Sequence, residues 1–222
     1  MIRKVIVSML IVILLAAGFG GMFQPVETVL AQTSTAASFA AASSATLSDV
    51  EIHSLLLMRE EEKLARDVYA VLYETYGEQI FLNIMASEQT HFDQMGVLLE
   101  RYGLEDPALE PGLYTDYYIQ GLYDMLIPMG LESLEGAYRV GAIIEEVDIL
   151  DFLHFLEDEE VDNPDIRQVY TSLMNASENH LRGFVICLLS IGVVYEPGYL
   201  TLEQYEAILA EETGGVGNTK GH

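Results

Sequence analysis

Apolar residues recur every three or four positions along most of the chain after residue 48, and no long stretch alternates with a period of two. A spacing of three to four residues places the apolar side chains on one face of an α-helix. Glycines at 77 and 103 and prolines at 107, 111 and 128 separate the helical stretches from one another. The pattern therefore predicts an all-α domain over residues 48–212.

The helical stretches group into two pairs. The first pair covers about residues 49–76 and 78–102, and the second covers about residues 133–157 and 164–189, with Asn163 as the predicted cap of the last helix. A long crossover joins the pairs and contains a short helix at about residues 116–126. Two antiparallel pairs with such a crossover have the connectivity of ferritin-like four-helix bundles.

A further short helix is predicted at the C-terminal end of the domain. Thr201 and Gln204 form a capping-box pattern, in which each side chain bonds the backbone of the other residue. Thr115 or Asp116 is in the same way expected to cap the short crossover helix. The predicted domain therefore has four long helices, a short helix in the crossover and a short C-terminal helix.

The two ends of the chain differ from the domain in composition. Residues 1–31 have a basic start, an apolar run and then small residues, which is the order of a secretory signal. Residues 5–23 are also nearly long enough to be a retained membrane anchor. Residues 32–47 are rich in Ala, Ser and Thr and predict a linker, and the Gly-rich residues 213–222 predict a disordered tail. Either reading of the first segment predicts an exported protein, extracellular or in the cell envelope.

The charge of the chain limits its partners. The 35 acidic and 10 basic side chains give a net charge of -25, which excludes a nucleic-acid binder that works by phosphate neutralisation and favours metal cations as partners. Cys187 is the only cysteine in the sequence, so there is no intrachain disulfide and no cysteine-based metal site. A bound metal must therefore be held by carboxylates and imidazoles.

Two similar fragments carry the candidate ligands on the second helix of each pair. Glu88 and His91 are three residues apart, which places them about 60° apart on one helix face. The second fragment contains Glu178 and His180, which are about 200° apart and cannot face the same point. Either only one of these two residues binds, or the site is mononuclear or asymmetric.

The first helix of each pair adds acidic residues. Glu61 falls on the apolar stripe of the first helix, whereas its neighbours Glu60, Glu62 and Lys63 are interpreted as a solvated face. On the third long helix either Glu145 or Glu146 must lie among apolar neighbours, and Asp148 shares the face of Glu145. Buried carboxylates and imidazoles in such numbers indicate a metal site or strongly raised pKa values.

The sequence resembles the domain-of-unknown-function family 2202 (DUF2202), which is grouped with ferritin-like proteins. The resemblance covers about residues 55–209 and rests on the fragments MREEEKLARDVY (58–69), ASEQTH (86–91), IEEVDI (144–149) and SENHLR (177–182). It implies a helical bundle around a dinuclear, carboxylate-bridged iron or manganese centre.

The resemblance also implies roles for individual residues. Glu61 and either Glu145 or Glu146 would be terminal carboxylates, Glu88 a bridging carboxylate and His91 a terminal imidazole. Asp148 would be an additional ligand and Glu178 a second bridge. The ferritin pattern would place the second imidazole at residue 181, where this sequence has leucine, so His180 is the candidate instead.

The resemblance implies a reaction type but no substrate. With two iron ions the expected chemistry is oxidation of Fe(II) by oxygen or peroxide, which would make the protein an oxidoreductase, and a homodimer is an open expectation. The alternative is a non-catalytic helical binding module tethered at the envelope, with a degenerate or absent metal site.

Overall fold

The computed structural model describes residues 46–211, which form six α-helices and no strand. The predicted signal or anchor, most of the predicted linker and the predicted tail lie outside these residues. None of the helices within them combines the length and the apolar character that a membrane crossing needs. The all-α prediction is confirmed by helices α1 (Asp49–Tyr76), α2 (Gln79–Tyr102), α3 (Tyr117–Leu131), α4 (Leu134–Glu157), α5 (Pro164–Ser190) and α6 (Leu202–Ala210).

Local signals in the sequence set the ends of several helices. Ser48 and Glu51 form a reciprocal capping box at the start of α1, and Thr201 and Gln204 form the predicted one at the start of α6. Helix α1 ends at Tyr76 and is capped by Gly77, whose φ of 69° is a left-handed conformation that glycine adopts without steric cost. These ends lie where the sequence predicts them.

The end of α3 and the cap of α5 differ from the prediction. Helix α3 continues through Pro128 to Leu131. Proline cannot donate the helical hydrogen bond to the carbonyl four residues earlier, but that carbonyl belongs to Asp124, an exposed residue, so the helix tolerates the loss. At the start of α5, Asn163 does not cap the helix with its side chain. Its Nδ2 instead donates to Oε2 of Glu51 at 2.7 Å and joins this turn to the start of α1.

The four long helices pack in pairs, α1 on α2 and α4 on α5, and the pairs meet through α1 with α4 and α2 with α5. The start of α1 lies beside the turn after α4, where the Ser48 hydroxyl donates to the carbonyl of Glu160 at 2.8 Å. At the other end, the Tyr76 hydroxyl donates to the carbonyl of Gly130 just before α4. Helices α1 and α4 are therefore antiparallel, and α3 covers both of them.

The apolar core is divided into two clusters. Along α1 one cluster ends at Met58 and the other begins at Leu64, and along α5 the corresponding residues are Leu173 and Leu181. Between these positions the helices carry polar side chains that face the interior, all buried except the half-buried His180, so the domain contains a polar layer in its interior. Its members are Glu61 and Glu62 on α1, Glu88 and His91 on α2, Glu145 and Asp148 on α4, and Ser177 and His180 on α5.

Candidate metal centre

Glu88 lies at the centre of the polar layer and is 1% exposed. Its Oε2 is 2.7 Å from Nδ1 of His91 on the same helix, and its Oε1 is 2.8 Å from Nδ1 of His180 on α5. The two imidazole rings stack with their centroids 5.7 Å apart. One carboxylate thus contacts two imidazoles, one through each oxygen.

Glu62 completes a first group with Glu88 and His91. One oxygen of Glu62 is 3.3 Å from Nδ1 of His91, and one ligand atom from each of the three residues lies within 4.8 Å of the others. Three such atoms at this separation can surround a single metal ion.

The interpretation of Glu60, Glu62 and Lys63 as a solvated face was wrong, since all three are buried. The segment between α2 and α3 covers this side of α1. Both oxygens of Glu60 accept backbone N–H groups, from Thr115 at 2.6 Å and Asp116 at 2.8 Å. The ammonium of Lys63 donates to two carbonyls of the same segment, and Glu62 is turned to the interior.

Glu145 and His180 form a second group with Glu88. Oε2 of Glu145 is 3.4 Å from Nδ1 of His180, and the three ligand atoms of the group again lie within 4.8 Å of one another. The hydroxyl of the fully buried Tyr69 donates to Oε1 of Glu145 at 2.5 Å. Glu88 belongs to both groups and lies between them.

Glu146, the alternative to Glu145 in the sequence, lies outside both groups. Its carboxylate accepts the Tyr195 hydroxyl and the backbone N–H groups of Gly198, Tyr199 and Leu200. These bonds hold the segment before α6 against α4, which gives Glu146 a structural role and leaves Glu145 in the cluster.

On α5 the structure brings His180 into the cluster and leaves Glu178 out. Glu178 lines a separate cavity beside α6, where burial and then the charge of Glu211 raise its pKa. The residue three positions before His180, which corresponds to Glu88 before His91, is Ser177. When the two fragments are aligned on their histidines, Ser177 takes the place of Glu88. This alignment is shifted by one residue from the one that pairs Glu88 with Glu178.

Ser177 holds a carboxylate that comes from another helix. Its hydroxyl donates to Oδ2 of Asp148 on α4, and both residues are buried. Burial raises the pKa of Asp148 well above its ordinary value, and the charges of Glu145 and Glu88 raise it further. Asp148 therefore faces the cluster, although it is in neither group of three.

Glu61, the terminal ligand that the family resemblance implies, also lies in neither group. It is 4% exposed and neither of its oxygens has a hydrogen-bond partner within the described residues. Burial raises its pKa well above the ordinary value, followed by the charges of Asp151 and Asp148. Glu61 thus faces the α4 side of the polar layer, next to the two groups.

The cluster contains several buried ligand atoms that lack hydrogen-bond partners in the described part of the chain. They are both oxygens of Glu62, Oε1 of Glu88 and the Nδ1 atoms of His91 and His180. The short distances between the imidazoles and Glu88 do not have hydrogen-bond geometry. Buried polar atoms without partners are costly, and cations bound among them would satisfy these atoms.

Burial and charge shift the pKa values of these groups in opposite directions. Burial alone would raise the pKa of Glu88, but the close approach of His180 and His91 outweighs it and lowers the pKa to about 2. Burial would lower the pKa of His180, but Glu145 and Glu88 raise it to about 11. For Glu62, burial and the charges of Asp148 and Glu88 all raise the pKa. Without metal, protons on His180 and Glu62 therefore offset part of the negative charge of the carboxylates.

Comparisons with known proteins agree with one another. Residues 51–212 match the family described as "Uncharacterized protein domain (DUF2202)". The chain is 43% identical over 169 residues to "Uncharacterized protein MJ0754" of Methanocaldococcus jannaschii. The aligned region covers 75% of this chain and 90% of that protein. The crystal structure of hypothetical protein MJ0754 from Methanococcus jannaschii is similar with a TM-score of 0.72, over 75% of this chain and 95% of that one.

Proposed function

The chain belongs to the DUF2202 family, and we propose that it is a metalloprotein that binds two divalent transition-metal ions in its buried cluster. One ion would be held by Glu62, Glu88 and His91. The other would be held by Glu88, Glu145 and His180, so that Glu88 bridges the two. The set of buried ligand atoms without hydrogen-bond partners around Glu88 is the observation that carries this proposal.

The charge of the cluster supports two ions. Glu62, Glu88, Glu145 and Asp148 would carry four negative charges when ionised, and each is at most 7% exposed. Two protonated imidazoles would balance only half of that charge, and a buried carboxylate without a partner costs several kcal/mol. Two divalent ions with neutral imidazoles balance all of it.

The donor atoms favour iron or manganese. Each group offers two carboxylates and one imidazole, and these donors suit manganese and iron, whereas copper(I) and iron–sulfur clusters need thiolates. Iron bound in this cluster would supply one-electron redox chemistry with oxygen or peroxide as the oxidant. We therefore propose an oxidoreductase or detoxifying role for the loaded protein.

We further propose that the arrangement of the long helices is ferritin-like. In that fold, two helices each contribute a glutamate and the other two each contribute a Glu-x-x-His motif. Here α1 offers Glu62, α4 offers Glu145, and α2 offers the complete motif. Helix α5 offers His180 with serine in place of the glutamate, and Asp148, held by that serine, supplies a carboxylate on the same side.

Neighbouring residues orient the ligands. The Tyr69 hydroxyl fixes one oxygen of Glu145 and leaves the other towards His180. The Ser87 hydroxyl is 3.3 Å from Nε2 of His91, so the metal-binding role falls to Nδ1, which is turned to Glu88. Such partners set the tautomer and direction of a ligating imidazole. The carboxylates and His91 are buried and His180 is half-buried, which limits the access of bulk water to the cluster.

The alternative function is a helical binding module without catalysis. It is favoured by Ser177, which leaves the α5 motif without its glutamate. For either function, we propose that the domain works outside the cytoplasmic membrane, on the basis of the signal-like pattern in residues 1–31. Fractionation of cells that express the chain tests the location, and recovery in the cytoplasm alone would contradict it.

Metal content tests the main proposal. The purified chain is reconstituted with Fe(II) or Mn(II) without oxygen, desalted and analysed by inductively coupled plasma mass spectrometry. We expect two ions per chain, none in Glu88→Gln, and two in the control Glu178→Gln, whose carboxylate lies in another cavity. A helical wild-type protein without metal, or an unchanged metal content in Glu88→Gln, would contradict the proposal.

A further inference from the structure

We propose that divalent cations reach the buried cluster along a row of acidic side chains between α1 and α4, with Glu61 and Asp151 as a transfer site on the way. This inference rests on the proposed function, because it supplies the ions that the cluster binds. It also gives a role to Glu61, a buried carboxylate that neither ligand group uses.

The outer end of the row is a surface cavity of about 470 Å³ where α1 begins and α4 ends. Its polar lining consists of three carboxylates and two imidazoles, and in the described part of the chain no lysine or arginine lines it. In a protein with a net charge of -25, such a cavity concentrates cations at its mouth. The residues concerned are Asp49, His53, Asp151, His154 and Asp158.

Asp151 links this cavity to the interior. It is half-buried and lies one helical turn from Asp148 on α4, while Glu61 lies one turn from Leu57, which lines the same cavity on α1. The charge of Asp151 also raises the pKa of Glu61, so the two carboxylates lie close together between α1 and α4. Two carboxylates that lie close together repel each other unless a proton or a cation lies between them. The oxygens of Glu61 have no hydrogen-bond partner among the described residues, so this pair is suited to hold a cation briefly.

A small cavity between α1, α3 and α4 adjoins both Glu61 and Asp148. Its volume is about 10 Å³, close to the space of one water-sized sphere, and among residues 46–211 Glu61 and Asp148 are its only polar lining. The remaining lining residues are aliphatic. A cation that passes here can be bound only by these two carboxylates, and the charge of Asp148 acts directly on Glu62 in the cluster.

Another large cavity, on the α1–α2 side, is less suited to cations. It has a volume of about 560 Å³, lies over α1 and α2, and is lined by Arg66, Asp67 and Glu74 among others. Arg66 donates to Asp67 at 2.8 Å and to Gln89 at 3.1 Å, so a guanidinium stands at this opening. Its positive charge repels metal ions, and the α1–α4 side remains the favoured route.

The rate of metal uptake tests the route. Mn(II) is mixed rapidly with the metal-free chain without oxygen, and the loss of the free Mn(II) electron paramagnetic resonance signal is followed. We expect uptake in the double variant Glu61→Gln/Asp151→Asn to be slower by at least about tenfold, with the same final content of two ions per chain. The control Glu74→Gln, which removes a carboxylate from the other cavity, should load at the wild-type rate.

Three results would overturn the route. Uptake by the double variant at the wild-type rate would exclude it while leaving the proposed function intact. A double variant that loads fewer ions at saturation would show that Glu61 is a ligand of the centre itself. A wild-type chain that binds no Mn(II) would instead refute the proposed function, and the route with it.

Discussion

Glu88 on α2 lies 2.8 Å from His180 on α5 through its Oε1, while its Oε2 lies 2.7 Å from His91 on its own helix. The carboxylate therefore joins the two helix pairs of the domain at one buried point. A carboxylate with an imidazole at each oxygen has the position of a bridge between two metal ions.

Removing one terminal carboxylate should empty one half of the site. We expect Glu62→Gln to lose the ion beside His91 and Glu145→Gln to lose the ion beside His180, because each ion then has only two protein ligands. Each variant should retain about one ion per chain in metal analysis, because only one of the two ligand groups is still complete. Glu100→Gln, an exposed site on α2, is the control. Two ions retained in both variants would show that neither carboxylate is a ligand.

Ser177→Ala should weaken metal binding without abolishing it. The hydroxyl that holds Asp148 is lost, and changes in such supporting residues typically lower metal affinity by about 10- to 100-fold. Competition with a chelator measures the affinity. Ser172→Ala, an exposed serine on the same helix, should leave it unchanged. Equal affinity in both variants would mean that Asp148 does not contribute to binding.

The metal-free protein should lose stability as the pH rises above 6.5. Folding raises the pKa of His180 to about 11. Its contribution to the stability of the folded protein is therefore complete below pH 6.5 and is lost as the pH rises towards the pKa of the folded state. Folding also raises the pKa of Glu62. Its contribution to stability is therefore complete below pH 4.5 and is lost as the pH rises through the pKa of the folded state. Both effects have the same sign.

Thermal unfolding with a chelator and with Mn(II) measures this pH dependence. We expect the melting temperature of the metal-free protein to fall between pH 6.5 and about 9, and to fall less steeply in Glu62→Gln. With Mn(II) the decline should be smaller, because the metal competes with these protons. A melting temperature of the metal-free protein that stays constant or rises over this range would contradict the assigned charges.

Gly141→Ala should destabilise the fold beside the cluster. A Cβ at this position would overlap the ring of Phe184, which must then move in a packed core, at a cost of about 1–3 kcal/mol. Gly183→Ala is the matched control on α5, where the Cβ meets only the end of Ile80 at 3.4 Å. Urea unfolding should show a loss for the first variant alone, and equal stabilities would refute the close packing.

The sequence is sufficient to predict the helices and to name every member of the two ligand groups except Glu62, although Glu145 and His180 are named only beside alternatives. Glu88 and His91 lie on one helix three residues apart, so helix geometry alone brings them together. Capping signals such as Ser48 and the glycine at residue 77 mark helix ends through local interactions. Both kinds of evidence concern residues that are close along the chain.

The role of Glu62 and the support of Asp148 by Ser177 depend on contacts between distant segments. Glu62 is in a run of charges that looks solvated until the segment before α3 covers that side of α1. Ser177 carries no sign in the sequence of its bond to Asp148 on another helix. The signal that was available is the spacing of three residues before His180, which points to Ser177 rather than to Glu178.

Anomalous diffraction from crystals loaded with Fe(II) would test the bridging position of Glu88 most directly. We predict two peaks at the iron absorption edge, one between Glu88, Glu62 and His91 and the other between Glu88, Glu145 and His180. Glu88→Gln crystals grown and loaded in the same way should show neither peak. A wild-type map with no peak at Glu88, or with a single peak bound by only one of the two imidazoles, would contradict the dinuclear site.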